Sequence, residues 1–198
     1  MSVAGRIACA VILLMIASRA AGAADQVGFT SAMRPFADQT LPQAQTVPLN
    51  FNSPIFRFAM LRTAPRGALE VTFLDRSKLS MGPASQLVID QYVYAGSGGT
   101  GQQVVRYTKG AFRFISGNIP KDKVRIETPT VTVGIRGTTI RTLVTDDGTT
   151  TVGLDHGGAI VTSKQTGQSV FLIPGEKVTI KPNGEMGPVT LGKVEGCP

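Results

Sequence analysis

Short alternating runs of apolar and polar residues, separated by glycine and proline, follow one another through most of the chain. The segment 128–138 (TPTVTVGIRGT) shows the pattern most clearly, because Val131, Val133 and Ile135 are spaced two residues apart. Successive side chains of a β-strand point to opposite faces, so these three side chains share one face. The segment therefore predicts a strand that is buried on one side.

The same segment contains a single arginine between two glycines. Gly134 and Gly137 flank Arg136, and we predict that they give the backbone the freedom to form a tight corner. The simplest expectation is that Arg136 locks this corner through a bidentate hydrogen bond to a carboxylate such as Glu127 or Asp90. The alternative is an exposed arginine that recognises an acidic group of a partner. Arg136 is therefore the possible partner-binding residue of the chain.

Comparable short strands are predicted along the rest of the chain. The further predicted strands are 55–58, 69–74, 79–81, 86–94, 104–107, 111–115, 124–127, 138–145, 150–154, 159–163, 170–173 and 178–181. Such a series is typical of an all-β sandwich, barrel or short solenoid. We predict an all-β fold in which short strands form a compact solenoid-like or barrel-like sandwich. The sequence DHGG at 155–158 is predicted to be one of the turns.

The first 24 residues have a different pattern, which is that of an export signal. Arg6 supplies a positive charge, the apolar run 7–17 is too short to cross a hydrocarbon core of ~30 Å, and small residues follow at 20–24. This order is typical of a cleavable signal peptide. We predict a signal-peptide helix that is cut off after Ala23 or Ala24.

The remaining chain is predicted to have three parts. Residues 25–54 show little apolar periodicity and are predicted to be an irregular leader. Residues 55–182 carry the predicted strands and form the β domain, and 183–198 form a C-terminal tail. No second apolar run of membrane length follows, so we expect no membrane span in the mature chain.

The net charge and the distribution of basic residues bear on which class of molecule the protein binds. The formal net charge is +7, and removal of 1–24, which holds two arginines and no acidic residue, leaves 18 basic and 13 acidic residues, or +5. A nucleic-acid interface needs a basic stripe interleaved with aromatic residues, and the Lys and Arg residues here are scattered singly. We therefore expect no nucleic-acid partner.

The mature chain keeps one cysteine. Cys9 leaves with the signal peptide, so Cys197 cannot form an internal disulfide in the mature chain.

Little in the sequence indicates catalysis. His156 is the only histidine and is predicted to be a solvated turn residue, so a histidine-dependent nucleophile is not expected. One histidine and one terminal cysteine cannot make a tight transition-metal site. The glycine loop 96–101 lacks the Lys-Ser/Thr pair of a phosphate-binding loop. We predict no catalytic residue, no metal and no cofactor. A catalytic pair of carboxylates for glycoside chemistry remains an open alternative. Asp75, Asp90 and Glu127 all lie at the ends of predicted strands, where capping or ion pairing explains them.

Several sequence segments, in a fixed order along the chain, resemble those of a known protein family. They are 68–90 (ALEVTFLDRSKLSMGPASQLVID), 91–101 (QYVY with the glycine loop), 109–117 (KGAFRFISG) and 128–138. Together they resemble the FecR domain, the exported sensor-side domain of ferric-citrate-type iron regulators, over roughly 55–165. Arg76 stands where the family usually has a glycine after its aspartate. We expect a stand-alone exported FecR-domain protein, because a signal peptide stands in place of the anti-sigma segment and its membrane helix.

This resemblance implies a function in recognition. We expect an exported, non-catalytic FecR-like β module that binds a protein or ligand in envelope signalling or assembly, periplasmic or secreted in a Gram-negative cell. Its partner would be an envelope protein, and its edge strands are open to pairing with another chain. One alternative is a secreted or surface adhesin-like structural protein. A weaker alternative is a polysaccharide-active enzyme, which would need carboxylates that converge in one cleft.

Overall fold

The computed structural model describes residues 25–94, 96 and 101–198. The predicted signal-peptide helix and its cleavage site, and most of the glycine loop, lie outside these residues. The strands are β1 Gln26–Arg34, β2 Ala37–Thr40, β3 Val47–Pro48, β4 Pro54–Phe56, β5 Met60–Thr63, β6 Ala68–Phe73, β7 Lys78–Met81, β8 Gln86–Tyr94, β9 Gly101–Ile115, β10 Val124–Glu127, β11 Val131–Val144, β12 Thr150–Ser163, β13 Ser169–Leu172, β14 Glu176–Ile180 and β15 Thr190–Leu191. A short 3-10 helix spans Lys121–Lys123. The described part of the chain contains no helix that is long and apolar enough to cross a lipid bilayer.

The strands form one open sheet, which confirms the all-β class. One hydrogen-bonded path through ten strands is β15-β14-β12-β11-β10-β9-β7-β6-β1-β4, and β13 and the series β8-β5-β2-β3 branch from it. A closed barrel would join the two ends of this path, and β15 and β4 do not pair. The barrel-like arrangement is therefore corrected to a single open sheet. The sheet branches at β9, which pairs with four other strands.

Strand β9 joins two of the predicted strands into one. The expected break between 104–107 and 111–115 is absent, because Gly110 adopts a φ of 108° and lets the strand bend without ending. Residues before Gly110 pair with β8 and β10, and residues after it pair with β7 and β11. A Cβ atom at Gly110 would overlap the Ser85 side chain.

The predicted corner at 134–137 and the predicted turn at 155–158 are both wrong. Strands β11 and β12 continue through these segments and pair with each other, with register shifts between Arg136 and Ile140. Gly137 (φ 66°) and Gly157 (φ 86°) lie opposite each other in this bulge. Their left-handed conformations absorb the extra residue, so each strand changes its twist and does not reverse.

The predicted irregular leader over 25–54 is also wrong, because much of it is strand. Strand β1 pairs with β4 and β6, and its residues Val27 and Thr30 are buried. The strand carries Gly28, Thr30 and Ser31 where a periodic apolar pattern would be expected. Its position depends on hydrogen bonds to neighbouring strands and not on local propensity.

The core confirms the alternation seen in the sequence. Val131, Val133 and Ile135 are at most 1% exposed, as their spacing predicted. Phe112 is fully buried, and its ring stacks on Tyr107 with centroids 4.0 Å apart. The inner face of β9 and β11 therefore packs into the core and leaves the opposite face of β11 and β12 free to form a surface.

Candidate functional site

A cleft of about 770 Å³ lies beside Arg136 on the outer face of the sheet. The Arg136 cleft is lined by residues 117–122, Gly134, Ile135, Arg136 and Ile160. The segment 117–122 leads from β9 into the 3-10 helix and forms one wall, and β11 and β12 form the floor. A volume of this size falls within the range of about 300–1,000 Å³ that is usual for ligand sites.

The strand register shows which side chains meet on this floor. Gly134 lies opposite Arg125 of β10 and Ile160 of β12, and Ile160 lies opposite Phe171 of β13. Residues directly opposite in antiparallel strands point to the same face. The row therefore runs from the exposed Arg125, across Gly134 and Ile160, to Phe171, which is 53% exposed.

A second row lies two residues further along the strands. Arg136 pairs with Gly158, and a Cβ atom at Gly158 would lie 2.9 Å from the Phe171 ring. The Phe171 ring therefore extends over Gly158 towards Arg136. This arrangement places an exposed aromatic ring and an exposed guanidinium on opposite sides of a glycine.

Gly134 has a different role from the one that the sequence predicted. Its φ lies outside the left-handed region, and a Cβ atom added to it would meet no heavy atom within 4 Å. Neither the backbone nor the packing of the described residues requires a glycine here. Its missing side chain leaves the floor of the cleft open. Gly137, in contrast, has a φ of 66°, and the Lys121 side chain packs over it.

Arg136 is exposed, and the locking bond to Glu127 or Asp90 is absent. Arg106 binds Asp90 at 2.7 Å, and Lys164 binds Glu127 at 3.3 Å. These carboxylates are closer to other cations, so the expectation of a locked corner is corrected. Within the described ranges, Arg136 forms no ion pair with any carboxylate.

Two further cations lie around the Arg136 cleft. Lys121 and Arg125 are both exposed, and neither has an ion-pair partner in the part of the chain that the structure describes. The described residues of the lining include one carboxylate, Asp122, which pairs with Lys123 at 3.5 Å. The cleft is thus basic at its rim and apolar at its floor. An anion with an attached apolar group suits such a surface.

A buried aspartate holds the wall of the cleft in place. Asp75 is fully buried, and its Oδ1 atom accepts hydrogen bonds from Ser77 N at 3.1 Å and Ser77 Oγ at 2.6 Å. Its backbone N–H donates to the Tyr92 hydroxyl at 2.8 Å. Burial, followed by the nearby Asp75 charge, raises the pKa of Tyr92, so this hydroxyl remains protonated. We refer to this set of contacts as the Asp75 clamp.

The Asp75 clamp reaches the cleft through the start of its wall. Asn118 N donates to the Asp75 carbonyl at 2.8 Å, and Ile119 N lies 3.4 Å from Asp75 Oδ2. A Cβ atom at Gly117 would overlap the backbone of Asp75 and Ser77. The sequence predicted only a strand-end role for Asp75. The connection to 117–119 was missed because it spans more than forty residues.

His156 and Cys197 do not form a chemical site together. His156 is exposed in the bulge of β12, and its neighbour Asp155 is held by Arg141 Nε at 2.8 Å. Cys197 Sγ lies 3.5 Å from the Thr142 carbonyl, and burial raises the pKa of this thiol. Among the described residues, no three His, Cys, Asp or Glu side chains converge to hold a metal ion.

Comparison with protein families gives a match over just over half of the chain. The family model described as FecR protein matches residues 59–159. The chain belongs to the FecR protein family. The matched region contains the Asp75 clamp, the wall of the Arg136 cleft and Arg136 itself. A comparison with curated protein sequences gives no significant match.

Two solved structures share the fold. Both are crystal structures of a candidate anti-sigma factor from Parabacteroides distasonis, at 2.50 Å and 1.65 Å resolution. They match with a TM-score of 0.53 each, at 14% and 15% sequence identity. Each match covers 67% of this chain and 59% of the solved chain. This chain thus spans less than two thirds of their length, and the likeness concerns the fold.

The turn that follows Asp75 contains a strained residue. Arg76 adopts a φ of 67°. This left-handed conformation costs an ordinary residue about 1–2 kcal/mol and costs glycine little.

Proposed function

We propose that this protein is an exported, non-catalytic recognition module of envelope signalling, which binds a partner protein at the Arg136 cleft. The observation that carries this proposal is the exposed guanidinium of Arg136, which has no ion-pair partner among the described residues and lies beside an open apolar floor. A charged group without such a partner contributes nothing to the fold through ion pairing. It is available to an acidic group of another molecule.

The family and the sequence pattern of residues 1–24 support a location in the cell envelope and a role in signalling. The signal-peptide pattern favours action in the periplasm or outside a Gram-negative cell. The solved relatives, described as candidate anti-sigma factors, favour a regulatory role in signalling. We infer that the partner is another envelope protein.

Two observations favour recognition over catalysis. Among the described residues, Asp122 is the only acidic residue that lines the Arg136 cleft, whereas glycoside hydrolysis needs two carboxylates about 5–10 Å apart across one bond. Asp90 and Glu127 both contact Arg106, at 2.7 Å and 3.7 Å, and lie outside this lining. A polysaccharide-active enzyme is therefore the weaker alternative.

The test is site-specific photo-crosslinking in intact cells. A photoreactive amino acid replaces Asn118, an exposed residue of the cleft wall, and in a control protein it replaces Gln45, an exposed residue outside the lining. We expect a specific envelope protein to be captured from position 118 and not from position 45. The capture should disappear when Arg136→Ala is added.

The outcomes distinguish the proposal from its alternatives. Capture of the same proteins from both positions, or of no protein at position 118, would contradict a partner site at the cleft. Capture of further copies of this chain alone would favour the adhesin-like structural role. Thermal unfolding of the Arg136→Ala protein controls for loss of folding.

A further inference from the structure

The chemistry of the Arg136 cleft also indicates what kind of segment it binds. Its floor is open above Gly134, where an added side-chain atom would meet nothing within 4 Å. Ile160 and Pro120, both half-buried, are among the residues that line the cleft. An apolar side chain of a partner can enter this space and bury surface that the fold leaves open.

The rim of the cleft determines the charge of the occupant. Lys121, Arg125 and Arg136 are exposed and have no ion-pair partner among the described residues. Residues 1–24, 95 and 97–100, which are the rest of the chain, contain no Asp or Glu. No carboxylate side chain outside the described residues is therefore available to pair with them. Three cations around one apolar floor complement an acidic ligand.

The spacing of the site fits an extended peptide. Arg125, Gly134, Ile160 and Phe171 lie on four adjacent strands, which places the two ends of the row about 14 Å apart at ~4.8 Å per strand. Successive side chains of an extended peptide alternate in direction, so one can enter the floor while a neighbour reaches the rim. The exposed Phe171 ring closes the far side of the site.

We propose that the Arg136 cleft binds an extended acidic and aliphatic peptide segment of the partner. One aliphatic side chain lies over Gly134 against Ile160, and a neighbouring carboxylate contacts Arg136, with Lys121 and Arg125 nearby. This inference rests on the proposed function, since it assigns the chemistry of the partner at the same cleft. It also gives Gly134 a role, which is to keep the floor open.

The test uses a phage-displayed library of random eight-residue peptides, selected on the full mature chain. We expect enriched peptides to carry Asp or Glu within two positions of Val, Ile or Leu. One enriched peptide is then labelled, and its affinity is measured by fluorescence polarisation. Replacing its acidic residue with the corresponding amide should weaken binding about tenfold or more.

Variants of the protein test the two halves of the site. Gly134→Val fills the floor with a residue that suits a strand, and Arg136→Gln removes the charge; each should weaken binding about tenfold or more. The matched control is Thr132→Val, on the same face of β11 two residues away and outside the lining, which should bind as the original protein does. Circular dichroism shows whether each variant is folded.

Several results would overturn this inference. They are the absence of enriched peptides, enrichment without acidic residues, and equal binding by the folded Gly134→Val variant. Tighter binding to vesicles of anionic phospholipid than to any peptide would assign the site to a membrane surface. The photo-crosslinking experiment is independent of these results. If it captures a protein at position 118 while peptide selection fails, the proposed function stands and the peptide assignment fails.

Discussion

Replacing the buried carboxylate of the Asp75 clamp should destabilise the whole domain. Asp75→Ala removes two short hydrogen bonds, from Ser77 N at 3.1 Å and Ser77 Oγ at 2.6 Å. The Tyr92 hydroxyl and Ile119 N lose longer contacts of 3.3 Å and 3.4 Å, which contribute less. All of these contacts are buried, so the remaining donors lose their partner without a full return to water.

The expected magnitude follows from the two short bonds. A hydrogen bond to a charged group contributes about 1.5–3 kcal/mol, and desolvation of the carboxylate offsets part of this sum. We expect the free energy of unfolding to fall by about 3 kcal/mol for Asp75→Ala. In a domain of this size, this corresponds to a decrease in Tm of about 6–12 °C. Asp75→Asn retains an acceptor for Ser77 and should lose about half as much free energy.

Urea unfolding followed by circular dichroism measures this change. The control is Asp146→Ala, which removes an aspartate side chain that is 87% exposed and pairs with Lys109, and which should change stability by less than about 0.5 kcal/mol. If Asp75→Ala unfolds within about 1 kcal/mol of the original protein, the reasoning about the clamp is refuted. A double-mutant cycle with Ser77→Ala would then show whether the two residues interact at all.

Four further predictions follow, three on single substitutions in the fold and one on the pH dependence of its stability. Arg76→Gly should raise the free energy of unfolding by about 0.5–1 kcal/mol, because glycine tolerates the observed φ of 67°; an unchanged or lower urea midpoint would contradict this. Gly157→Ala should lower the free energy of unfolding by about 2–4 kcal/mol, because a Cβ atom would overlap the Gly137 carbonyl. A Tm equal to that of the original protein would show that the bulge can relax. Tyr107 has a buried hydroxyl without a hydrogen-bond partner among the described residues, so Tyr107→Phe should stabilise the protein by about 1 kcal/mol in urea unfolding at pH 7. Burial raises the pKa of Tyr107 and Tyr92, and the folded state therefore keeps protons that the unfolded state loses above pH ~10. Stability should fall as the pH rises above this value, and less steeply in Tyr107→Phe; a urea midpoint that stays constant from pH 8 to 11 would contradict this.

The class of the fold is readable from the sequence because strand alternation is local. Val131, Val133 and Ile135 are spaced for one face of a strand and are all buried. Phe112 and Phe114 follow the same rule. Strand β1 could not be found this way, since polar and small residues such as Thr30 hide its period. Its hydrogen bonds to β4 and β6 come from residues far along the chain.

A glycine in the sequence indicates a position where the backbone can adopt a positive φ. It does not determine whether the chain forms a turn or a bulge there. Gly137 and Gly157 both have positive φ, as a turn would require, and they form a bulge because β11 and β12 remain paired on both sides of it. Gly110 similarly bends β9 without ending it. Whether such a residue ends a strand or bends it depends on the strand beside it, which the local sequence does not specify.

The local pattern of the sequence was sufficient to predict an all-β chain, a strand at 131–135 that is buried on one side, and two alternatives for Arg136. The three-dimensional contacts rule out one alternative, the ion pair with Glu127 or Asp90, because Arg106 and Lys164 hold these carboxylates. The structure alone also showed the open space above Gly134. This difference arises because alternation and glycine content act over a few residues. Ion pairing and cleft shape, in contrast, depend on which distant strands become neighbours.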